Sequence, residues 1–206
     1  MRIRPYLPAD RDAVADVCLR TADAGADATG VFEDDGLWAQ VFALPYVTRH
    51  PELARVVEGE DGRAVGYVVA TDDTDAFEDW FHDEWWPSIA ERHPFPPVER
   101  SRQDGTLIYA YGRRAGAEPY AALGYPAHLH IDLLPEAQGS GWGRRLIGAL
   151  LDDLRARGVA GLHLVAAERN AGALAFYDRL GFRRLDSHPG VQAFGIRLDG
   201  SADDEA

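Results

Sequence analysis

The chain has one cysteine, Cys18, in 206 residues, so no intrachain disulfide can brace it, and the count fits a reducing compartment. Lysine is missing altogether, because all 21 basic residues are arginine. No ε-amine is therefore present for Schiff-base chemistry or for self-acetylation. Nowhere is there a run approaching the roughly 20 apolar residues that span a bilayer, and the opening MRIRPYLPAD lacks the apolar stretch of a secretory leader. The expectation is a cytoplasmic protein with no membrane partner. Positive charge is scarce: 34 acids against 21 bases give a formal net charge of -13, whose field repels phosphate backbones and anionic lipid. Nucleic acid is not an expected partner.

What is present suits one generous domain. At 46% hydrophobic and 27% charged, a chain of this length can bury roughly two thirds of its unfolded surface in a single core. Residues 3–6 read as a short edge strand, and Asp10 as the cap of a helix presenting Ala13, Val14, Val17 and Cys18 to a core. A second helix is predicted over 34–43. Residues 53–58 and 63–71 are strand-like runs joined by Gly59-Glu60-Asp61-Gly62, the chemistry of a hairpin turn. Asp72 and Asp73 then end the strand and cap a helix.

From about 72 to 126 the alternation breaks, which marks an insertion. Phe77, Trp80, Phe81 and Trp85 fall at helical spacing on one predicted face, and His93-Pro94-Phe95-Pro96-Pro97 interrupts it. Residues 106–111 fit helix or strand equally. Beyond the insertion the pattern is regular: strand 128–134, helix 141–157 stopped by Gly158, strand 161–166, helix 170–180, and final strands at 182–185 and 191–198. The small, acidic residues 200–206 are expected to be a disordered tail after a domain of 1–199.

The densest chemical signal is Gln138-Gly139-Ser140-Gly141-Trp142-Gly143, between a strand and a helix. Glycines let the backbone turn sharply with its N–H groups convergent. The helix start adds about half a positive charge, so a pyrophosphate could be held there without lysine. A Walker loop is excluded by the missing Gly-Lys-Ser/Thr, and a dinucleotide loop by Arg144 where a glycine is needed. After the next strand comes Asn170-Ala171-Gly172-Ala173-Leu174-Ala175-Phe176-Tyr177-Asp178-Arg179-Leu180-Gly181-Phe182.

This pair of segments resembles the GNAT superfamily of N-acetyltransferases. Gln138, Gly141 and Gly143 match a Q/R-x-x-G-x-G/A loop, and Asn170, Ala173, Phe176, Tyr177, Gly181 and Phe182 match N-x-x-A-x-x-F-Y-x-x-x-G-F. The resemblance implies a single α/β (α+β) domain: a mixed, mostly antiparallel sheet of six or seven strands, helices on both faces, and the helical insertion ahead of the central strand. It further implies acetyl-CoA as cosubstrate, bound by Leu133, Leu134, the loop Gln138, Gly139, Ser140, Gly141, Trp142, Gly143 and Arg144, and by Asn170, Ala173, Phe176 and Tyr177. Within it, Tyr177 is the expected general acid toward the thiolate, and backbone N–H groups near Leu133 or Leu134 the expected polarisers of the acetyl carbonyl. Gly139 departs from the family pattern, which often has a basic residue there; Arg144 and Arg145 stand close enough in sequence to compensate. More weakly, Gly66-Tyr67, the acidic aromatic insertion and His130-Ile131-Asp132 resemble the acetyltransferase-like C-terminal region of eukaryotic O-GlcNAcases and its bacterial relatives. That likeness carries no glycosidase activity.

An acceptor amine must lose protons, and His128, His130 and Asp132 alternate along one strand with Leu129, Ile131 and Leu133 on the other face. A polar row in a strand expected to be central and covered points either to a substrate cleft, with Asp132 nearest the glycine loop, or to a solvated strand face. A bulge before Pro135 would reverse that parity. Zinc would want a further ligand that the sequence does not supply, so no metal is expected. Trp80, Trp85 and Trp86 among acids suggest either an acidic aromatic lid over a cationic acceptor or plain core packing. The expected activity is direct acetyl transfer to a primary amine, small molecule or peptide, by a monomer or homodimer; the alternative is an acyl-CoA-binding or protein-interaction module of the same fold without turnover.

Overall fold

The computed structural model describes residues 1–112 and 117–200. Its strands are β1 (Arg2–Pro5), β2 (Arg55–Glu58), β3 (Ala64–Thr71), β4 (Ala127–Leu133), β5 (Gly161–Ala167), β6 (Arg183–Leu185) and β7 (Val191–Arg197). They form one seven-stranded sheet in the order β1-β2-β3-β4-β5-β7-β6. Every neighbouring pair is antiparallel except β4 and β5. The β2–β3 hairpin closes through the Gly59 N–H donating to the Arg63 carbonyl at 2.7 Å, as the turn residues required.

Two cores flank the sheet. On one face lie α1 (Arg11–Leu19), α2 (Gly36–Phe42), α3 (Leu44–Arg49), α4 (Thr74–Trp80), α5 (Trp86–Ala90), α6 (Arg102–Tyr111) and α7 (Ala117–Ala122). Val14, Val17 and Cys18 of α1 pack there with Tyr46, Val56, Tyr67, Val69 and Phe77. On the other face, α8 (Trp142–Ala156) and α9 (Ala171–Arg179) cover Val57, Val68, Leu129 and Leu162. Leu146, Ile147, Leu150, Leu151 and Leu154 give α8 a continuous buried stripe, each side chain contributing roughly 1.5–3 kcal/mol by leaving water.

Several expectations need correction. Asp10 does not cap α1; its carboxylate accepts from the Leu7 N–H at 2.8 Å and pairs with Arg4. Residues 44–49, left unassigned by pattern, form α3, because Pro45 starts a new helix after Ala43 breaks α2. Residues 106–111 belong to helix α6, which Ser101 caps through the Asp104 N–H. The single face proposed for Phe77, Trp80, Phe81 and Trp85 does not exist, because residues 81–85 are a π-helical turn. That turn rotates the face, so Phe77 joins the core against the sheet whereas Phe81 and Trp86 join a second cluster with Leu37 and Leu107. Trp85 donates to the Gln40 carbonyl at 2.9 Å, and Arg49 lies 5.4 Å from the centre of the Trp80 ring. These aromatics are packing, not a lid. Asp73 caps α4 and Asp72 pairs with Arg157 at 3.1 Å, as turn chemistry implied. Of the expected tail at 200–206, residues 201–206 lie outside the described residues.

Candidate active site

The pairing of β4 with β5 stops almost as soon as it starts. Ala127 faces Leu162 and His128 faces His163, after which no β4 residue pairs with β5. On its other side β4 stays paired with β3 without interruption from His128 to Leu133. The two parallel strands therefore splay and open a cleft in the middle of the sheet. Because the Leu134 N–H donates to the Val65 carbonyl at 2.9 Å, strand alternation turns the Leu133 N–H the other way, into the cleft. Of the two N–H groups singled out by sequence, Leu134 is consumed by the sheet and Leu133 faces the opening.

The glycine loop sits at the mouth. Gly139 and Gly141 have φ of +73° and +79°, a left-handed backbone that other residues adopt at a cost. Gly141 is the N-cap of α8, and the N–H groups of Gly139, Ser140 and Gly141 bond no protein acceptor among the described residues. Gln138 ties the loop to the strand, its amide donating to the Leu133 carbonyl at 2.8 Å. A Cβ on Gly143 would stand 3.1 Å from Phe176, so glycine lets α8 approach α9 closely. Trp142 is covered by the Arg145 guanidinium at 4.4 Å, and Arg144 is exposed.

Across the cleft, the Asn170 side chain accepts from the Ala173 N–H at 3.0 Å and so caps α9. Ala173 and Phe176 pack against the α8 core. Tyr177 is buried, its ring 5.3 Å from Phe176, 5.6 Å from Phe182 and 5.3 Å from Phe194. Its hydroxyl finds no protein partner among the described residues. Burial, and then the charge of Asp132, hold the phenol well above its ordinary pKa.

The polar row of β4 lies on the α1 face, and the unbroken register with β3 shows no bulge to reverse it. Asp132 accepts the Tyr67 hydroxyl at 2.5 Å, and burial raises its carboxyl pKa against the lowering influence of Tyr67 and Thr21. Tyr67, fully buried, keeps its proton because burial and the Asp132 charge push its pKa up. Cys18 lies in the same cluster, and burial raises its thiol far above the usual value. His128 is buried, with Nε2 2.6 Å from the Tyr46 hydroxyl and Nδ1 2.8 Å from the Thr74 hydroxyl. His130 is half-buried, 3.1 Å from the same Tyr46 oxygen, with Phe42 edge-on at 5.6 Å. Among the described residues no group of three His, Cys, Asp or Glu side chains is disposed to hold a metal.

Beyond Phe42 a groove of about 360 Å³ runs between α2 and α6, lined by Trp38, Phe42, Glu99, Arg102 and Tyr109. Arg102 is paired there with Asp23 at 2.9 Å. Neither this groove nor Tyr46, Tyr67 and Thr74 was singled out from sequence as site residues. They come from segments read as core or left unassigned, and contact the polar row only through tertiary packing.

The sequence profile of the Acetyltransferase (GNAT) family matches residues 22–182. A solved structure, that of SsHAT, is 43% identical, covers 96% of this chain and 98% of its own, and superposes with a TM-score of 0.91. Mycothiol acetyltransferase of Renibacterium salmoninarum is 28% identical over 163 residues, 75% of this chain and 39% of that protein. Protein O-GlcNAcase of Rattus norvegicus is 23% identical over 181 residues, 87% of this chain and 20% of that protein. The chain thus spans less than half the length of these curated relatives.

Proposed function

Because the chain belongs to the Acetyltransferase (GNAT) family, we propose that it transfers an acetyl group from acetyl-CoA to a primary amine by direct attack within a ternary complex. The observation that carries this reading is the β4–β5 cleft, toward which strand alternation turns the Leu133 N–H, together with a Tyr177 hydroxyl that has no protein partner among the described residues. The residues present suit the cosubstrate. The unbonded N–H groups of Gly139 to Gly141, at the start of α8, would hold its pyrophosphate, with Arg144 in reach of the phosphates. Ala173 and Phe176 would line its pantetheine arm, and Asn170 would hold that arm by fixing the first turn of α9. When bound, acetyl-CoA supplies an activated thioester carbonyl and a thiolate leaving group.

The chain's own groups then have distinct tasks. Leu133 N–H donates to the acetyl oxygen where negative charge develops. A lysine-like amine of pKa about 10.4 costs roughly 4.6 kcal/mol to deprotonate at pH 7, so the polar row must accept protons. An ammonium acceptor gives up two protons in becoming an amide: one before attack, one as the C–N bond forms and the C–S bond breaks. In this reading Asp132, adjacent to Leu133 and in electrostatic reach of Tyr177, takes the second. Its raised pKa makes it a stronger base than an exposed aspartate. Tyr177 offers the sulfur a hydrogen bond, and the thiol's proton balances one of the two that the amine lost. Cys18 is fully buried and protonated, so no acetyl-cysteine route competes.

Calorimetry with acetyl-CoA tests the reading. Wild type should bind saturably at one site, and Gly141→Glu should not, because its carboxylate occupies the phosphate position on a left-handed backbone. Binding that is absent, or indifferent to Gly141→Glu, would refute the cofactor assignment.

A further inference from the structure

The Asp132 carboxylate meets no cation among the described residues. The groups that face it are neutral: Tyr67 from β3, Cys18 near the end of α1, Thr21 just beyond that helix, and Tyr177 from α9. A carboxyl drawn out of water in such company drifts toward its protonated form unless a donor holds the charge. Thr21 has one hydroxyl proton, and the Val17 carbonyl competes for it at 2.8 Å. Tyr67 gives its proton to Asp132 Oδ2 at 2.5 Å, so toward the Cys18 thiol beside it the phenol oxygen can only accept. The β3–β4 register sets Tyr67 directly opposite Asp132, and Tyr67 is fully buried, so packing fixes where its oxygen stands.

From this geometry we propose that Tyr67 is a positioning residue for the transfer: it grips Oδ2 of Asp132, keeps the carboxylate charged, and leaves Oδ1 as the oxygen that takes the amine's proton. The inference rests on the acetyl-transfer reading above and adds what keeps the base ionised inside the fold. As the C–N bond forms, an N–H bond of the amine breaks and an O–H bond forms at Asp132, whose charge is thereby lost. Tyr67 keeps its own proton throughout, because burial and the Asp132 charge hold the phenol above its ordinary range. It is a brace and not a relay. No oxidant or further reactant is involved.

Carbon-13 spectra of protein labelled at the aspartate carboxyl test this without knowledge of the acceptor. The Asp132 signal is assigned by its loss in Asp132→Asn and followed against pH. In Tyr67→Phe its titration midpoint should rise by about one unit, which at a pH below both midpoints is a tenfold loss of the charged form. Cys18→Ala disturbs the same cluster but leaves the Tyr67 hydroxyl in place, so its midpoint should stay near that of wild type. Should Tyr67→Phe not fold, the unsubstituted protein still answers: the carbon bearing the Tyr67 hydroxyl should shift as Asp132 titrates, and that response should vanish in Asp132→Asn. With any amine that turns over, the acidic limb of kcat should move up in Tyr67→Phe by the same amount as the midpoint, since the base must be ionised to act. A midpoint unmoved or lowered in Tyr67→Phe, a Tyr67 signal indifferent to Asp132, or an unmoved acidic limb would overturn the proposal. Failure of acetyl-CoA to bind by calorimetry would instead remove the reading on which it rests.

Discussion

Replacing Tyr177 by phenylalanine removes one oxygen and no hydrogen bond to the described residues. The ring packs against Phe176, Phe182 and Phe194 through faces that phenylalanine retains. Losing a hydroxyl that bonds none of the described residues should leave stability unchanged or slightly raised, whereas Tyr177→Ala would empty the site at a cost of about 3–5 kcal/mol. Acetyl-CoA affinity should hold, because the hydroxyl is aimed at a charge that appears only as the thioester breaks. If that hydrogen bond supplies about 2.7 kcal/mol to the transition state, kcat falls about 10²-fold. The raised phenol pKa adds a second signature. An acid must be protonated to act, so wild type should show no loss of rate from Tyr177 ionisation below its ordinary value of 10.0. The assay compares thermal midpoint, calorimetric Kd and kcat for the two proteins. A kcat within about threefold of wild type, or an affinity loss equal to that of Asn170→Ala, would reduce Tyr177 to a packing residue.

Asp132→Asn should lower turnover by about 10² to 10⁴ at unchanged acetyl-CoA affinity, read by rate and calorimetry. The same change should stabilise the fold at neutral pH, because burial raises the carboxyl's pKa and the folded state therefore prefers it neutral. The wild-type penalty is relieved as pH falls through the folded pKa toward 3.8, so the gap in melting temperature should narrow on acidification. Asn170→Ala should weaken acetyl-CoA binding and also cost about 1 kcal/mol of stability, since the side chain caps α9; an unchanged thermal midpoint would refute the capping role. Gly161→Ala should destabilise by about 2–3 kcal/mol in denaturant unfolding, because its Cβ would meet the Gly124 carbonyl and the Tyr125 ring.

The C-terminal half was readable because its signals are local. The strand at 127–133, the glycine stop at Gly158 and the Asn170 cap are each specified within a few residues of chain. The loop at 138–143 is likewise contiguous, so its place between β4 and α8 followed from order alone. The first hundred residues were harder, since α3 and the π turn at 81–85 depend on tertiary packing and carry no periodic pattern of their own. The row His128, His130, Asp132 was visible by parity, but the difference among its members was not. Tyr46 and Thr74, far away in sequence, hold His128 between them, Tyr46 also reaches His130, and Tyr67 holds Asp132. Such partners come from β4 meeting α3, α4 and β3, and pairwise distance across the fold is not written in any local stretch.

Release of free thiol from acetyl-CoA, followed across histone-like peptides, polyamines, amino sugars and amino acids, tests the central claim most directly. The account predicts that at least one amine class supports many turnovers per protein molecule, with one thiol freed per amide formed and the activity abolished in Gly141→Glu. Stoichiometric binding of CoA with no thiol release in any class would contradict it, and would make the chain an acyl-CoA-binding module of the same fold.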